Sequence, residues 1–303
     1  MHASDGPCWH VRGKGWLKYR GGVASDDVDL VDEAAAALGV DRVRSLQGGG
    51  QKLVEVVEKT GTTLVLKVIR VTSSTPATIQ RAEREVELLE AIDNPHVVKV
   101  MSSLEQLGDP PHGAAWLEEY LDGQDLADEL FTRQWSWADT RALGLDVSDG
   151  LGAGHARKVV HRDLSARNVR HLTDGTFKVM DFGFARHTLR SGLTVAGQPG
   201  TPGHLSPEHL QSYSGGPTAS SDVFCLGVLM YAALTGHLPI EWRGDDVDYI
   251  QRLLAVQIED ITTRRPDLTP DQAALIRRCL HPQSARRFLN GQALNHALQG
   301  VSP

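Results

Sequence analysis

The sequence predicts an α+β chain of about two domains or lobes, with strand patterns ahead of longer helical ones. Three observations point there. A chain of 303 residues is long enough for about two domains or lobes. The stretch from Leu64 to Val71 alternates as a strand does, and a helical repeat follows it. Further along, the longest patterns are helical, from Trp137 to His155 and from Phe224 to Leu234.

Composition bounds the chemistry. A hydrophobic content of 41% with 23% charged residues is that of an ordinary soluble globular chain. The net charge of −7 argues against nucleic acid or an acidic membrane as the main partner. Cys8, Cys225 and Cys279 form neither metal-binding nor disulfide spacing; the last two sit in apolar helical context, as small core residues of a reducing compartment do. Residues 1–10 lack the apolar run of a signal peptide, and the run Phe224 to Leu234 is too short to span a bilayer. A cytoplasmic protein without a membrane segment is expected.

Residues 1–42 read as a leader. Its first part, with Gly13, Gly15, Gly21 and Gly22, is expected to be loosely ordered. A helix then starts at Ser25 as N-cap, groups Val28, Val31, Ala35 and Leu38 on one face, and ends at Gly39. A packing helix and a regulatory arm both fit that pattern.

The stretch Gln47-Gly48-Gly49-Gly50-Gln51-Lys52-Leu53-Val54 joins two expected strands. Glycines there let backbone N–H groups approach a phosphate with no Cβ in the way, though an ordinary glycine-rich hairpin has the same composition. In the next strand Val65, Lys67 and Ile69 share one face, and Leu64, Leu66 and Val68 the other. A lysine on an apolar face needs a partner or an anionic ligand. The helix that Thr75-Pro76 starts places Glu85 in the middle of an apolar arc formed by Ile79, Ala82, Val86, Leu88, Leu89 and Ile92. Glu85 is the expected partner of Lys67.

The chemistry concentrates in His161-Arg162-Asp163-Leu164-Ser165-Ala166-Arg167-Asn168. A carboxylate there can accept a proton from an attacking hydroxyl, and the nearby carboxamide can hold a metal ion. Val169 to Leu172 and Phe177 to Met180 read as a hairpin around Thr173-Asp174-Gly175-Thr176. With Asp174-Gly175 as the turn centre, the register sets Asn168 beside Asp181. Two oxygen ligands suit Mg²⁺, which leaves its other positions to phosphate and water.

This loop, its hairpin and Asp181-Phe182-Gly183 together resemble the H-R-D-L-x-x-x-N and D-F-G pattern of the protein kinase superfamily, of the eukaryotic-like Ser/Thr type found in bacteria. The resemblance runs over residues 43–295. It implies a bilobal protein-kinase fold with a small β-rich N-lobe with one main helix over 43–120 and a larger, mainly helical C-lobe over 121–303. On the family's glycine loop, Gly49 and Val54 match while Gln47 and Lys52 replace two glycines; Gln47, Gly48, Gly49, Gly50, Lys52, Val54 and Val65 are the implied nucleotide-facing residues. Lys67 matches the lysine that grips the α/β-phosphates, and Glu85 its partner. Trp116 to Gly123 resembles the hinge, where Glu119 and Leu121 offer backbone groups to adenine. Glu118 screens the back pocket and Arg170 falls at the adenine floor, two charges that can compensate each other across the nucleotide.

The resemblance further implies Asp163 as catalytic base, Asn168 and Asp181 as Mg²⁺ ligands and ATP as phosphate donor. Ser165 stands where Ser/Thr kinases carry lysine, and Arg167, similar in place to the arginine of tyrosine kinases, is the stand-in. Gly200 to Glu208 resembles the close of an activation segment. Thr201 braces Asp163, and Thr194, Thr188 and Ser191 are candidate phosphate acceptors controlled through Arg162, although ordinary loop hydroxyls look the same. Asp222 braces the catalytic loop, and Arg287 pairs with Glu208. The implied reaction is ATP-dependent phosphorylation of Ser/Thr hydroxyls on protein substrates, with a regulatory partner protein or the leader as the source of the signal. A pseudokinase scaffold, a nucleotide-binding module, a tyrosine or dual-specificity kinase and a small-molecule kinase are the alternatives.

Overall fold

The computed structural model describes residues 25–46, 52–71, 79, 83, 86–182, 203–210, 216–255 and 257–302. The small lobe is an antiparallel five-stranded sheet built from β1 (Asp41–Leu46), β2 (Lys52–Lys59), β3 (Thr62–Arg70), β4 (Glu105–Leu107) and β5 (Gly113–Glu119), in the order β1-β2-β3-β5-β4. Thr60 and Gly61, with φ of 49° and 80°, form the two-residue left-handed turn that matches strand twist and joins β2 to β3.

The alternation of β3 divides the lobe into two apolar layers. Leu64, Leu66 and Val68 face outward against α1 (Ser25–Leu38), which contributes Leu30, Val31, Ala34 and Ala35. Ile69 faces inward and joins Ala114, Trp116, Val86 and Leu89 in a core that continues into the large lobe. The α1 face differs from the expected one: Val28 is 37% exposed, and Leu30 and Ala34 take its place. The buried stripe is rotated because α1 lies across β3, β4 and β5 and turns its 30/31/34/35 edge to them. Ion pairs fasten α1, Asp27 with Arg70 at 2.7 Å and Asp32 with Arg42 at 2.6 Å, and Glu33 meets His112 Nε2 at 2.8 Å. Lys59 Nζ donates to the Leu38 carbonyl at the helix end, at 2.9 Å. Exposed pairs of this kind add little each, so apolar burial does most of the holding.

Helices make up most of the large lobe: α2 (Leu126–Glu129), α3 (Trp137–Ala156), α4 (Ala219–Thr235), α5 (Asp246–Leu254), α6 (Ile261–Arg264), α7 (Pro270–Cys279) and α8 (Gly291–Gln299). Every residue of α4 from Ser220 to Thr235 is buried, which explains an apolar run with no polar stripe. A capping box of Thr218 and Ser221 starts it, and Gly236 at φ 74° ends it. α8 lies close enough to α3 that a Cβ on Gly291 would stand 2.5 Å from Gly152 N and Ser148 O, so only glycine fits. Cys225 and Cys279 are buried in this core, and burial pushes both thiols up, Cys279 to about 12. Both are packing residues, inert as nucleophiles.

Between the lobes lies a second sheet of β6 (Gly123–Asp125), β7 (Val169–Leu172) and β8 (Phe177–Val179). The segment from His96 to Val98 binds to it. Val98 N donates to Val179 O at 2.9 Å, and Val179 N to His96 O at 2.8 Å. Among the described residues no helix is long and apolar enough to cross a membrane.

If α1 is part of the small-lobe core, Leu30→Ala costs about 2–5 kcal/mol, read from the urea midpoint. Val28→Ala should stay within about 0.5 kcal/mol of the wild type, as an exposed position does.

Candidate active site

The loop 161–168 is held from below by one carboxylate. Asp222, in the first turn of α4, has no solvent exposure. Its Oδ2 accepts from His161 N at 2.7 Å and from His155 Nε2 at 2.9 Å, and its Oδ1 from Arg162 N at 2.9 Å. Burial alone would raise the Asp222 carboxyl, but these donors and the nearby imidazoles hold it below the usual carboxylate range. The His155 tautomer is set from the far side. Its Nδ1 accepts from Gly291 N at 3.0 Å, so Nε2 carries the proton that Asp222 receives.

His161 is wholly buried against Phe182, ring centroids 4.9 Å apart. Its Nδ1 accepts from Asp163 N at 3.3 Å, and its Nε2 donates to Met180 O at 2.8 Å, tying the loop to the end of β8. Arg162 has φ 68°, a left-handed turn that reverses the chain just before Asp163. The Arg162 carbonyl accepts from His209 Nε2 at 2.7 Å, while His209 Nδ1 accepts from Ser206 N at 3.1 Å. Tyr249 of α5 anchors the same segment by accepting from Gly203 N at 2.9 Å. At the other end of the loop, Asn168 Nδ2 donates to Asp163 O at 2.8 Å, which leaves Oδ1 as the atom for a cation.

The hairpin register differs by one residue from the expected one. Val169 pairs with Val179 and His171 with Phe177, so Asn168 opposes Met180, and Met180 N donates to Asn168 O at 2.9 Å. Asp174 is not left-handed as a two-residue turn requires. Its carboxylate accepts from Thr176 N at 2.9 Å, and only Gly175, at φ 87°, takes the left-handed conformation, which makes a three-residue turn. Asp181 is therefore one step past the partner of Asn168. Its own φ of 57° breaks the strand alternation there and re-aims the side chain.

That side chain meets Lys67. The Lys67 ammonium, 6% exposed, touches Asp181 Oδ1 on one side and Glu118 Oε2, at 2.7 Å, on the other. Burial pulls the ammonium down, yet the charges of Asp181 and Glu118 outweigh it and push Lys67 above its ordinary value. Val54 and Trp116 lie opposite Lys67 on the flanking strands, and Val65 opposite Glu118. Gln47, Gly48, Gly49, Gly50, Glu85, Thr188, Ser191, Thr194, Thr201 and the Lys52 side chain fall outside the described residues.

Arg170 and Glu118 do not meet. Arg170 Nη1 donates to Asp125 Oδ1 at 2.7 Å, Nη2 to Gly123 O at 2.7 Å and Nε to Leu121 O at 3.3 Å. It is a cross-strand partner of Asp125, stapling β7 to the hinge. Each charge has an opposite charge nearer than the other, which is why the compensation expected between them is absent. Glu119 N donates to Lys99 O at 3.0 Å, and the Glu119 carboxylate takes Lys178 Nζ at 2.6 Å. Any contact of Glu119 with a base therefore runs through its carbonyl. The Leu121 carbonyl already accepts from Arg170 with one of its two lone pairs.

Ser165 is 99% buried by its neighbours, with 1% exposed and no hydrogen bond at Oγ, whereas Arg167 on the next turn is exposed. Arg287 meets Glu208 in a two-pronged pair, Nη1 to Oε2 and Nη2 to Oε1, both 2.9 Å. The remaining N–H groups go to the carbonyls of His281, Pro282 and Ser220, which uses all five donors. Burial raises the Glu208 carboxyl, and the Arg287 guanidinium more than reverses it. His155, His209 and the Glu118–Lys67 contact were not singled out by sequence reasoning. Only strand register could have revealed the last, because β3 and β5 lie almost 50 residues apart.

A buried lysine of the small lobe paired with a carboxylate just beyond β8, past a loop that carries another carboxylate and a carboxamide, is an arrangement suited to a nucleotide-dependent phosphotransferase. A sequence model of the protein kinase domain matches residues 47–298. The serine/threonine-protein kinase pkn3 of Myxococcus xanthus is 32% identical over 78% of this chain and 45% of its own length. The serine/threonine-protein kinase drp72 of Corynebacterium efficiens is 31% identical over 74% of this chain and 42% of its own. The chain thus spans less than half of either relative, though it covers 90% of mitogen-activated protein kinase kinase 7 of Arabidopsis thaliana, at 26% identity. In fold it is similar to the crystal structure of the Mycobacterium tuberculosis PknI kinase domain, with a TM-score of 0.66, 20% identity, and coverage of 88% of this chain and 98% of that one. The chain belongs to the protein kinase family, in its eukaryotic-like, bilobal form.

Removing Arg287 strands a buried carboxylate, so Arg287→Ala should cost about 3–5 kcal/mol in chemical denaturation. Asp222 and Glu208 both sit below their unfolded values. The stability they contribute is complete above about pH 5 and is lost as pH falls through ~4 toward their folded values. In Arg287→Ala that acid limb becomes shallower, because the depression at Glu208 goes with its partner.

Proposed function

We propose that the chain transfers the γ-phosphate of ATP, with Mg²⁺, to Ser/Thr hydroxyls of protein substrates, its own activation segment among them. The observation that carries this reading is the contact of the buried Lys67 with the partly exposed Asp181 across the seam of the lobes. It gathers the charges that phosphoryl transfer needs at the mouth of a loop fixed by Asp222. Phosphoryl transfer has a loose transition state, so the protein mainly positions groups and balances charge.

In this mechanism Asp163 orients the substrate hydroxyl and accepts its proton. Its backbone is pinned on both sides, by His161 Nδ1 and by Asn168 Nδ2, which keeps the base from drifting. Asn168 Oδ1 and the Asp181 carboxylate are oxygen donors of the hard type that Mg²⁺ takes, few enough to leave room for phosphate and water. Bound there, the ion supplies charge neutralisation between the phosphates. Lys67 steadies the α/β-phosphates, and the Glu119 carbonyl with the Leu121 N–H faces adenine. Arg167, exposed beside the loop, takes the role of the lysine that Ser165 replaces. Arg162 is the receiver for a phosphate on Thr194, Thr188 or Ser191, with a partner protein or the leader supplying the signal.

The resemblance of Gly200 to Glu208 to the Ser/Thr form, and the relatives named serine/threonine kinases, support that specificity. Incubated with Mg·ATP and a generic protein substrate, the wild type should yield phosphoserine or phosphothreonine on acid hydrolysis. Asp163→Asn should lower the rate by about 10²–10⁴-fold. Phosphotyrosine alone would reverse the specificity, and equal rates in the two proteins would remove Asp163 as the base.

A further inference from the structure

Glu118, expected only to screen the back pocket, takes no part in the mechanism above, yet among the described residues it is a second group on the nucleotide-directed lysine. Lys67 lies opposite Trp116 and Val65 opposite Glu118 in the antiparallel β3–β5 pair, so Lys67 and Glu118 are diagonal neighbours on one face. Backbone hydrogen bonds of the sheet set their separation. Glu118 is 3% exposed, and both its oxygens are engaged: Oε2 by Lys67 at 2.7 Å, Oε1 by Trp116 Nε1 at 2.9 Å. Trp116 is wholly buried and its indole N–H can only donate, so it fixes the carboxylate with one oxygen turned to the ammonium.

The two carboxylates that the described residues bring to this ammonium have different prospects. Asp181 lies one step past the residue paired with Asn168, the two being the proposed cation ligands, and a carboxylate drawn to a cation gives less to Lys67. A buried ammonium left with no counter-charge is costly. Resting on the kinase reading of this site, we propose that Glu118 is a positioning residue for Lys67, a strand-borne counter-charge that stays with the ammonium when Asp181 turns to the metal. The lysine is then held in place by the sheet throughout the cycle, and Glu118 shapes nucleotide affinity without touching the reacting atoms.

The test is a double-mutant cycle on nucleotide binding, read by calorimetry with Mg·ADP, alongside the KM for ATP and kcat. Glu118→Gln keeps the shape and removes the charge. It should weaken Mg·ADP binding by at least about 10-fold, the worth of a hydrogen bond to a charged group. KM should rise more than kcat falls, and Glu118→Asp should recover part of the loss. In a Lys67→Met background the same Glu118→Gln change should add nothing, because its effect runs through the lysine. Equal losses from Glu118→Gln with and without Lys67 would overturn the proposal, as would unchanged affinity in the single variant. Should Glu118→Gln fail to melt cooperatively, the comparison moves to Glu118→Asp, where unchanged affinity again overturns it. A wild type that binds Mg·ADP but transfers no phosphate would sink the activity and leave this inference to be judged by the binding cycle alone.

Discussion

A carboxylate shut away from water is tolerable only when its lone pairs are filled, and Asp222 meets that condition by drawing three separate parts of the chain together. The end of α3 reaches it through His155, the start of α8 sets the His155 tautomer through Gly291, and the catalytic loop supplies two backbone amides. The position of Asp163 is in this sense a by-product of satisfying Asp222. Because unfilled acceptors in the interior cost so much, the loop has little freedom to adopt another shape. His161 and His209 extend the same logic outward, one to the end of β8 and the other to the segment 203–210.

Much of this was legible in the residues. The alternation of β3 separated two faces correctly, and each proved to serve a different apolar layer. The loop and its hairpin were readable because their signals are local. What escaped was non-local or conformational. Asp174-Gly175 reads as a two-residue turn, but the Asp174 carboxylate found Thr176, and the turn took a third residue. The pairing of Arg170 with Asp125 depended on which strand lies beside β7, and helical spacing could not show that Leu30 and Ala34 would displace Val28 on α1.

Lys67 illustrates the limit from the other direction. Its need for an anionic partner followed from one strand alone, since a lysine flanked by valine and isoleucine cannot remain unpaired. Which carboxylate answers that need depends on the whole sheet. Among the described residues the anions on Lys67 are Glu118 from β5 and Asp181 from beyond β8, groups 51 and 114 positions away in the chain, while Glu85, the expected partner, lies outside them.

The layer beneath α1 has a practical side. The match to the protein kinase domain model begins at residue 47, after α1 and β1 have ended. A fragment trimmed to those limits would uncover the apolar row Leu64, Leu66 and Val68 with Leu117 beside it, and would leave β2 as an open edge. Bare apolar sheet next to unpaired strand backbone is what drives chains to stick to one another. The helix ahead of the domain thus works as its solubilising cover, and the smallest well-behaved piece of this protein starts some twenty residues before the family's own boundary.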